Sequence, residues 1–263
     1  MSHPEQLGFF QAVVASNGQV LMGGRVIEVG SLDVNGSIRK IFAQSEEYVG
    51  VDLAEGPSVD LVSYGHEVDY ADAYFDTALS GECFEHDPHW RDTFLNMCRM
   101  TRPGGLVAFT CASSGRPEHG TRRTDRGESP GTQAQGIDYY HNLTAPEFRA
   151  QIPLSELFSD FRFWYLPTSF DLYFAGVRAG DPAPAHAGAS TRLGVAHLPD
   201  ADAVADLRLI MSWPHRVARL PLRAMVRALP ENRFQSWALP YWRTLLRMQD
   251  RLAAGRFRRA EHC

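Results

Sequence analysis

The 263-residue sequence lacks the patterns that mark membrane-spanning, secreted and metal-binding chains. No run of about 18 apolar residues occurs, and no basic segment followed by an apolar one stands at the N-terminus. The four cysteines form no C-x-x-C pair, which favours free thiols in a reducing compartment over disulfides or a metal site. Cys83, Cys98 and Cys111 fall in apolar stretches and are expected to be buried; the fourth is Cys263. These absences predict a cytoplasmic protein.

Lysine is nearly absent: the sequence has one lysine, Lys40, and 25 arginines. Charge is unevenly distributed along the chain. The formal net charge is -5, yet residues 201–263 hold 12 arginines against 5 acids, whereas residues 1–200 hold 26 acids against 14 bases. With 44% hydrophobic and 22% charged residues, the composition is that of a globular protein. The length allows one large domain, or a domain with an appendage.

Short apolar runs alternate with helical spacing over the first two thirds of the chain. Residues 25–30, 47–52, 75–80 and 106–111 are typical of buried parallel strands. Helices are predicted at 5–16, 37–42, 90–100 and 146–158, and two final strands at 161–166 and 171–178. The pattern predicts an α/β fold: a Rossmann-like, mostly parallel sheet with an antiparallel last strand, plus a helical C-terminal extension.

Composition divides the chain into three parts. Residues 1–180 are expected to form the sheet domain, 181–200 a linker rich in proline and alanine, and 201–263 a basic helical extension. We expect the helices of the extension to be broken at Pro214, Pro221, Pro230 and Pro240. Residues 112–136 are too polar to predict a packed segment and too long for a simple connector, which is typical of a functional lid or a disordered loop.

The first strand-to-helix turn, residues 28–37, carries the strongest functional pattern. Gly30 permits a tight turn and Gly36 a close approach by a ligand or strand, although a purely structural turn would look similar. Asp52 ends the next strand, where a carboxylate can accept both hydroxyls of a ribose. The turn lacks G-x-G-x-x-G, and Glu28 and Asp33 would repel a diphosphate. The pattern therefore favours a positively charged nucleoside over a dinucleotide.

Four motifs in order resemble class I S-adenosylmethionine-dependent methyltransferases across residues 25–178. They are Glu28-x-Gly30, the strand 48–52, the segment 75–86 and Arg102-Pro-Gly-Gly. The turn 31–37 and the loop 115–121 are similar to a bacterial branch in which some members act on glycans.

The resemblance implies S-adenosylmethionine as the cofactor. Glu28 and Gly30 would contact its methionine end and Asp52 its ribose; His66 and Glu67 would lie near the adenine. The wall beneath the sulfonium would be formed by Glu82, Cys83 and Phe84. The complete predicted cofactor set is Glu28, Gly30, Ser31, Asn35, Gly36, Ser37, Asp52, Leu53, His66, Glu67, Glu82, Cys83 and Phe84.

The implied activity is transfer of a methyl group to an oxygen of a small molecule or glycan precursor. Such a reaction needs a base, and His119 in the long loop is the first candidate, with His86 the second. The alternatives are an exposed turn histidine at 119 and a helix-capping histidine at 86. No metal site is predicted, because Pro88 and the tight spacing of His86, Asp87 and His89 favour a helix start.

Basic residues in the long loop suggest an anionic acceptor. Arg116, Arg122, Arg123 and His141 are the predicted acceptor-binding residues, although a solvated loop would have the same composition. The competing class is a non-catalytic Rossmann-like binding protein that uses its tail as a scaffold.

The basic tail has three interpretations. Arg216, Arg219, Arg223 and Arg227 would share one side of a helix. The tail could cap the domain or form a homodimer, lie on an anionic membrane at its inner face, or bind nucleic acid. The acidic body and the lack of a recognition motif argue against nucleic acid.

Overall fold

The computed structural model describes residues 3–21, 23–181, 194–211 and 213–260. One seven-stranded sheet has the order β3-β2-β1-β4-β5-β7-β6. Strands β1 to β5 pair in parallel, and β7 is antiparallel to both β5 and β6. The strands are β1 Arg25–Val29, β2 Glu47–Asp52, β3 Leu61–Val62, β4 Phe75–Gly81, β5 Thr101–Ala112, β6 Phe158–Leu166 and β7 Asp171–Arg178. The predicted Rossmann-like fold is confirmed.

Helices cover the sheet and form the C-terminal extension. Within the described residues they are α1 Pro4–Leu21, α2 Trp90–Met100, α3 Pro130–Ala134, α4 Ala145–Gln151, α5 Leu154–Leu157, α6 Ala201–Asp206, α7 Trp213–Ala218, α8 Leu220–Ala228 and α9 Glu231–Ala260. The predicted helix at 37–42 is a single 3₁₀ turn, Ile38–Phe42. None of the described helices is long and apolar enough to cross a membrane.

Two apolar cores form on opposite faces of the sheet. One contains Ile27 of β1 with Phe94 and Met97 of α2. The other contains Val26 of β1 with Phe9 of α1. Because β1 alternates between these faces and is buried on both, its run is continuously apolar apart from Glu28.

Two predicted element boundaries are wrong. α1 does not stop at Asn17, because the side-chain nitrogen of Asn17 donates to the carbonyls of Val13 and His197, 2.9 and 2.8 Å away. α2 ends at Met100 as predicted, but Arg102–Gly105 is not a loop, because it belongs to β5, which begins at Thr101. At Asn17 a contact distant in sequence overrides a local stop signal.

Proline acts differently at its several positions. The predicted helix 146–158 is interrupted at Pro153, which separates α4 from α5. In the extension, Pro214 and Pro221 lie in the first turns of their helices, where the missing N–H has no helical partner to lose. The predicted break at Pro240 is wrong, because Pro240 lies inside α9.

The long loop at 112–136 is packed rather than disordered, so the expectation that it is too polar to pack is wrong. Its buried polar residues include Glu118, His119 and Thr121. They are accommodated because hydrogen bonds join them to the loop and to α9: the Thr121 hydroxyl donates to Glu118 Oε1 at 2.6 Å, and the Glu118 amide donates to Gln235 Oε1 at 2.9 Å.

The extension packs against the sheet domain through a third core. Phe170 of the β6–β7 turn contacts Leu222, Phe234 and Ala238. The described part of the predicted linker, 194–200, is also attached, since the Ala196 amide donates to the Gly104 carbonyl at 2.8 Å. Residues 182–193 lie outside the described part of the chain. The division into domains remains a prediction.

The cysteines within the described residues are free thiols, as predicted. Cys98 and Cys111 are buried, whereas Cys83 is only half-buried. Cys263 lies outside the described residues.

Candidate functional site

A cavity opens at the carboxyl ends of β1, β2 and β4, where the strand order reverses between β1 and β4. This edge of a parallel sheet is where ligands bind in doubly wound folds. The empty space, including the open mouth, is about 980 Å³. Ten predicted cofactor or catalytic residues line it: Glu28, Gly30, Ser31, Asn35, Gly36, Asp52, Leu53, Glu82, Cys83 and His86.

The turn after β1 is held at a fixed distance from the loop after β4. Gly30 has a φ of 83°, and a Cβ there would lie 2.5 Å from Cys83 Cβ. Only glycine can adopt this positive φ and also leave room for the Cys83 side chain without strain. The Gly30 and Ser31 amides donate to the Val51 carbonyl at 2.9 and 3.0 Å, which joins the turn to β2.

Asp52 lies at the end of β2, next to this turn. Its Oδ2 accepts a hydrogen bond from the Leu32 amide at 3.0 Å and its Oδ1 one from the Leu53 amide at 2.7 Å. Burial raises the pKa of Asp52, and these backbone amides lower it. Both oxygens retain lone pairs, because a carboxylate offers about four acceptor positions.

Glu28 is a buried acid on the cavity wall, 4% exposed. The Tyr48 hydroxyl donates to its Oε2 at 2.6 Å. Burial raises the pKa of Glu28 to about 8, although the Tyr48 hydrogen bond and the charge of Arg39 lower it. At neutral pH Glu28 is therefore mostly protonated, and a cationic ligand would favour its ionised form.

Replacing Glu28 with glutamine should raise the free energy of unfolding at alkaline pH. The raised pKa means that the folded wild type holds a proton that the unfolded chain loses above about pH 4.5. The stabilisation of the folded wild type that follows from this raised pKa is complete below pH 4.5 and is lost as the pH rises towards 8. Denaturant unfolding should show a gap between Glu28→Gln and wild type that grows by up to about 1.4 kcal/mol per pH unit across that window.

The matched control is Glu55→Gln, at an exposed position on the β2–β3 loop. It should show no such pH dependence. A constant difference between Glu28→Gln and wild type from pH 5 to 8 would contradict the raised pKa.

The long loop covers the cavity with residues that the sequence did not indicate. Glu128, Ser129, Pro130, Gly131, Thr132 and Ile137 line it. Gln135 Nε2 donates to the Leu53 carbonyl at 2.9 Å, which joins the loop to the end of β2. The long loop is therefore a packed wall of the cavity, and the loop residues that line the cavity do not belong to its arginine-rich part.

Other lining residues were also missed: Gln6, Val29, Leu32, Val34, Ile38, Val51, Ser63, Tyr64, Gly65, Gly81, Asp87 and Pro88. All except Gln6, which belongs to α1, lie one to three residues from predicted ones.

Four predicted cofactor residues lie outside the cavity lining. His66 and Glu67 follow Tyr64 and Gly65, which line the cavity instead. Ser37 caps the following 3₁₀ turn, its hydroxyl accepting from the Arg39 amide at 3.1 Å. Phe84 is a core residue with its ring 5.0 Å from that of Phe109, so placing it on the cavity wall is a misassignment.

The two candidate bases are adjacent but not equivalent. The His86 ring lies on the cavity wall, and the His119 ring lies 4.9 Å from it between centroids, outside the lining. His119 is 7% exposed, which corrects the alternative of an exposed turn histidine. Burial lowers the pKa of His86 to about 3 and that of His119 well below its usual value, so both rings are neutral at pH 7. The alternative of a helix cap at His86 is not borne out, because the N-cap position of α2 is His89, and no side chain caps the helix there.

The predicted acceptor-binding residues do not line the cavity. Arg116 is largely buried, with its guanidinium 3.3 Å from Asp171 Oδ1. The partners of the other three are also acids of this chain: Arg122 pairs with Asp138, Arg123 with Glu118 and His141 with Glu147. Three of the four arginines of the long loop therefore have acidic partners.

Residues 27–109 match the family model described as a methyltransferase domain. This part of the chain is thus similar to a methyltransferase domain. The match runs from β1 into β5 and includes the cavity-lining ends of β1, β2 and β4. No curated protein sequence matches the chain significantly.

Several solved methyltransferase structures are similar to the chain. Phosphoethanolamine N-methyltransferase 2 of Haemonchus contortus, in complex with phosphomonomethylethanolamine and S-adenosylhomocysteine, is 15% identical with a TM-score of 0.48, over 65% of this chain and 52% of that one. The 1,6-didemethyltoxoflavin-N1-methyltransferase of Burkholderia thailandensis is 17% identical with a TM-score of 0.46, over 66% and 79%. The chain thus spans about half the length of the Haemonchus protein.

Proposed function

We propose that the protein is an S-adenosylmethionine-dependent methyltransferase that methylates an oxygen of a small molecule or glycan precursor. The observation that carries the proposal is the convergence of Glu28, Gly30 and Asp52 on one cavity within the methyltransferase domain. The Haemonchus and Burkholderia structures are described as complexes with S-adenosylhomocysteine, the product form of this cofactor.

The residues present fit the cofactor. Two buried or half-buried carboxyl groups, Glu28 and Asp52, suit a cationic ligand with ribose hydroxyls. Leu32, Val34 and Ile137 supply apolar surface on the same walls. S-adenosylmethionine supplies a methyl group on a positively charged sulfur. The chain contributes alignment of the acceptor with that methyl group, and the cover over the cavity excludes water.

We assign the acceptor end of the cavity to the segment after β4. Glu82 and His86 both line the cavity there, and no side-chain nitrogen or oxygen of either has a well-formed hydrogen bond within the described chain. They are the polar groups able to orient an acceptor hydroxyl and take up its proton. Because Arg116, Arg122 and Arg123 pair with acids, the proposal makes no use of an anionic acceptor. A cytoplasmic location and peripheral membrane contact or dimerisation through the extension remain predictions.

The test is product formation with paired acceptors. The full chain is incubated with S-adenosylmethionine and either a methyl hexoside and a catechol, or their amino-sugar and aniline counterparts, and S-adenosylhomocysteine is quantified by mass spectrometry. We expect turnover with hydroxyl acceptors. Turnover confined to the amines would reject oxygen methylation, and cofactor binding without turnover on any acceptor would favour the non-catalytic alternative.

A further inference from the structure

Behind the acceptor end of the cavity lies a group of three buried side chains, of which the methyltransferase assignment uses only His86. Glu85, His86 and His119 are all buried, and one ligand atom from each lies within 4.8 Å of the others. His86 belongs to the cavity wall, so the group borders the cavity directly.

The polar atoms of this group lack the partners that burial normally requires. Both oxygens of Glu85, both ring nitrogens of His86 and Nε2 of His119 have no well-formed hydrogen bond within the described chain. Leaving a buried polar group unsatisfied costs roughly 1–3 kcal/mol, and more for a charged one. So many unsatisfied atoms facing one another indicate a ligand that supplies the missing interactions.

The orientation of His119 suits metal coordination. Its Nδ1 donates to the Pro117 carbonyl at 3.3 Å, so the proton is on Nδ1 and the lone pair is on Nε2. A histidine that binds a metal typically donates its other ring N–H to a backbone carbonyl in this way. His119 Nε2 lies 3.9 Å from Glu85 Oε1, and two ligands of one zinc ion, each about 2.0–2.2 Å from it, stand roughly 3.4 Å apart in a tetrahedron.

Glu85 has no arginine or lysine within ion-pairing distance among the described side chains. The one basic group that close to it is the ring of His119. The neighbouring trio His3, Glu82 and Asp171 differs, because Asp171 already lies 2.8 Å from His3 and 3.3 Å from Arg116. Of the two trios, the first is therefore the one whose acidic side chain has no arginine partner.

We propose that Glu85, His86 and His119 form a binding site for one divalent transition-metal ion of the zinc type. Two imidazoles and one carboxylate are a ligand set that zinc uses where a coordination position stays open. One His86 nitrogen can bind the ion while the other interacts with the Tyr139 backbone. The ligand atoms need to approach one another by about 1 Å, which side-chain rotation allows.

The test uses the full chain, freed of metal with a chelator and titrated with Co²⁺. Cobalt in a four- or five-coordinate nitrogen and oxygen site gives visible absorption bands that hexaaquo-cobalt lacks. We expect bands that saturate at one Co²⁺ per chain and are lost on adding Zn²⁺. His119→Gln and Glu85→Gln, which keep the side-chain volume near that of the wild type, should each weaken Co²⁺ binding by about 100-fold or more.

The matched control is His141→Gln, at a half-exposed histidine that also contacts a glutamate, Glu147. It should bind Co²⁺ as the wild type does. Absence of the bands at millimolar Co²⁺, or equal bands in both substituted chains, would overturn the metal site. S-adenosylhomocysteine binding, measured on the metal-free chain, tests the proposed function separately.

Discussion

Asp52→Ala is expected to weaken binding of S-adenosylhomocysteine by about 100-fold. In the proposed complex the carboxylate accepts hydrogen bonds from two ribose hydroxyls, and hydrogen bonds to a charged group contribute about 1.5–3 kcal/mol each. A loss of about 2.7 kcal/mol corresponds to a factor of 100 in the dissociation constant. Isothermal titration calorimetry on the full chain measures the change.

Asp52 also accepts hydrogen bonds from the Leu32 and Leu53 amides, so the alanine variant could loosen the turn after β1. Asp52→Asn keeps one acceptor oxygen and should lose about tenfold. Glu55→Ala, three residues along the same loop and exposed, is the control and should bind like the wild type. An affinity of Asp52→Ala within threefold of the wild type would remove Asp52 from the ribose site.

Arg102→Ala should reduce the free energy of unfolding by about 3–5 kcal/mol. Arg102 is fully buried, and its Nε donates to Asp76 Oδ1 at 2.6 Å. Removing the arginine leaves the Asp76 charge buried without its partner, which accounts for a loss of this size. Its Nη1 and Nη2 also donate to the carbonyls of Pro103 and Gly194, at 3.0 and 3.2 Å. Urea unfolding followed by circular dichroism measures the loss.

Two further variants separate charge from packing. Arg122→Ala removes an arginine whose side chain is 61% exposed and 3.8 Å from Asp138, and it should change stability by less than about 1 kcal/mol. Combining Arg102→Met with Asp76→Ala removes both buried charges and should recover part of the loss. Equal destabilisation by the single and double changes would show that packing, not the unpaired charge, sets the effect.

The sequence predicted the residues that lie at strand ends. Glu28, Gly30 and Asp52 could be assigned because parallel strands place their carboxyl ends at one edge, so a motif at each end converges without knowledge of the loops. Glu82 and Cys83 directly follow β4, and their assignment came from the resemblance to methyltransferases. All five line the cavity.

Residues in loops could not be assigned in this way, because their positions depend on contacts distant in sequence. The interaction of Arg116 with Asp171 joins two segments 55 residues apart. The burial of His119 depends on the packed course of its loop, which Gln235 of α9 stabilises by accepting from the Glu118 amide. From its composition the loop was expected to be solvated. In the structure its polar groups form hydrogen bonds with one another and with the extension.

The central claim is that the cavity at the ends of β1, β2 and β4 binds S-adenosylmethionine. A calorimetric titration of the wild-type chain with S-adenosylhomocysteine tests it most directly. The account predicts saturable binding of one ligand per chain, in competition with S-adenosylmethionine. Absence of binding at millimolar ligand would contradict it.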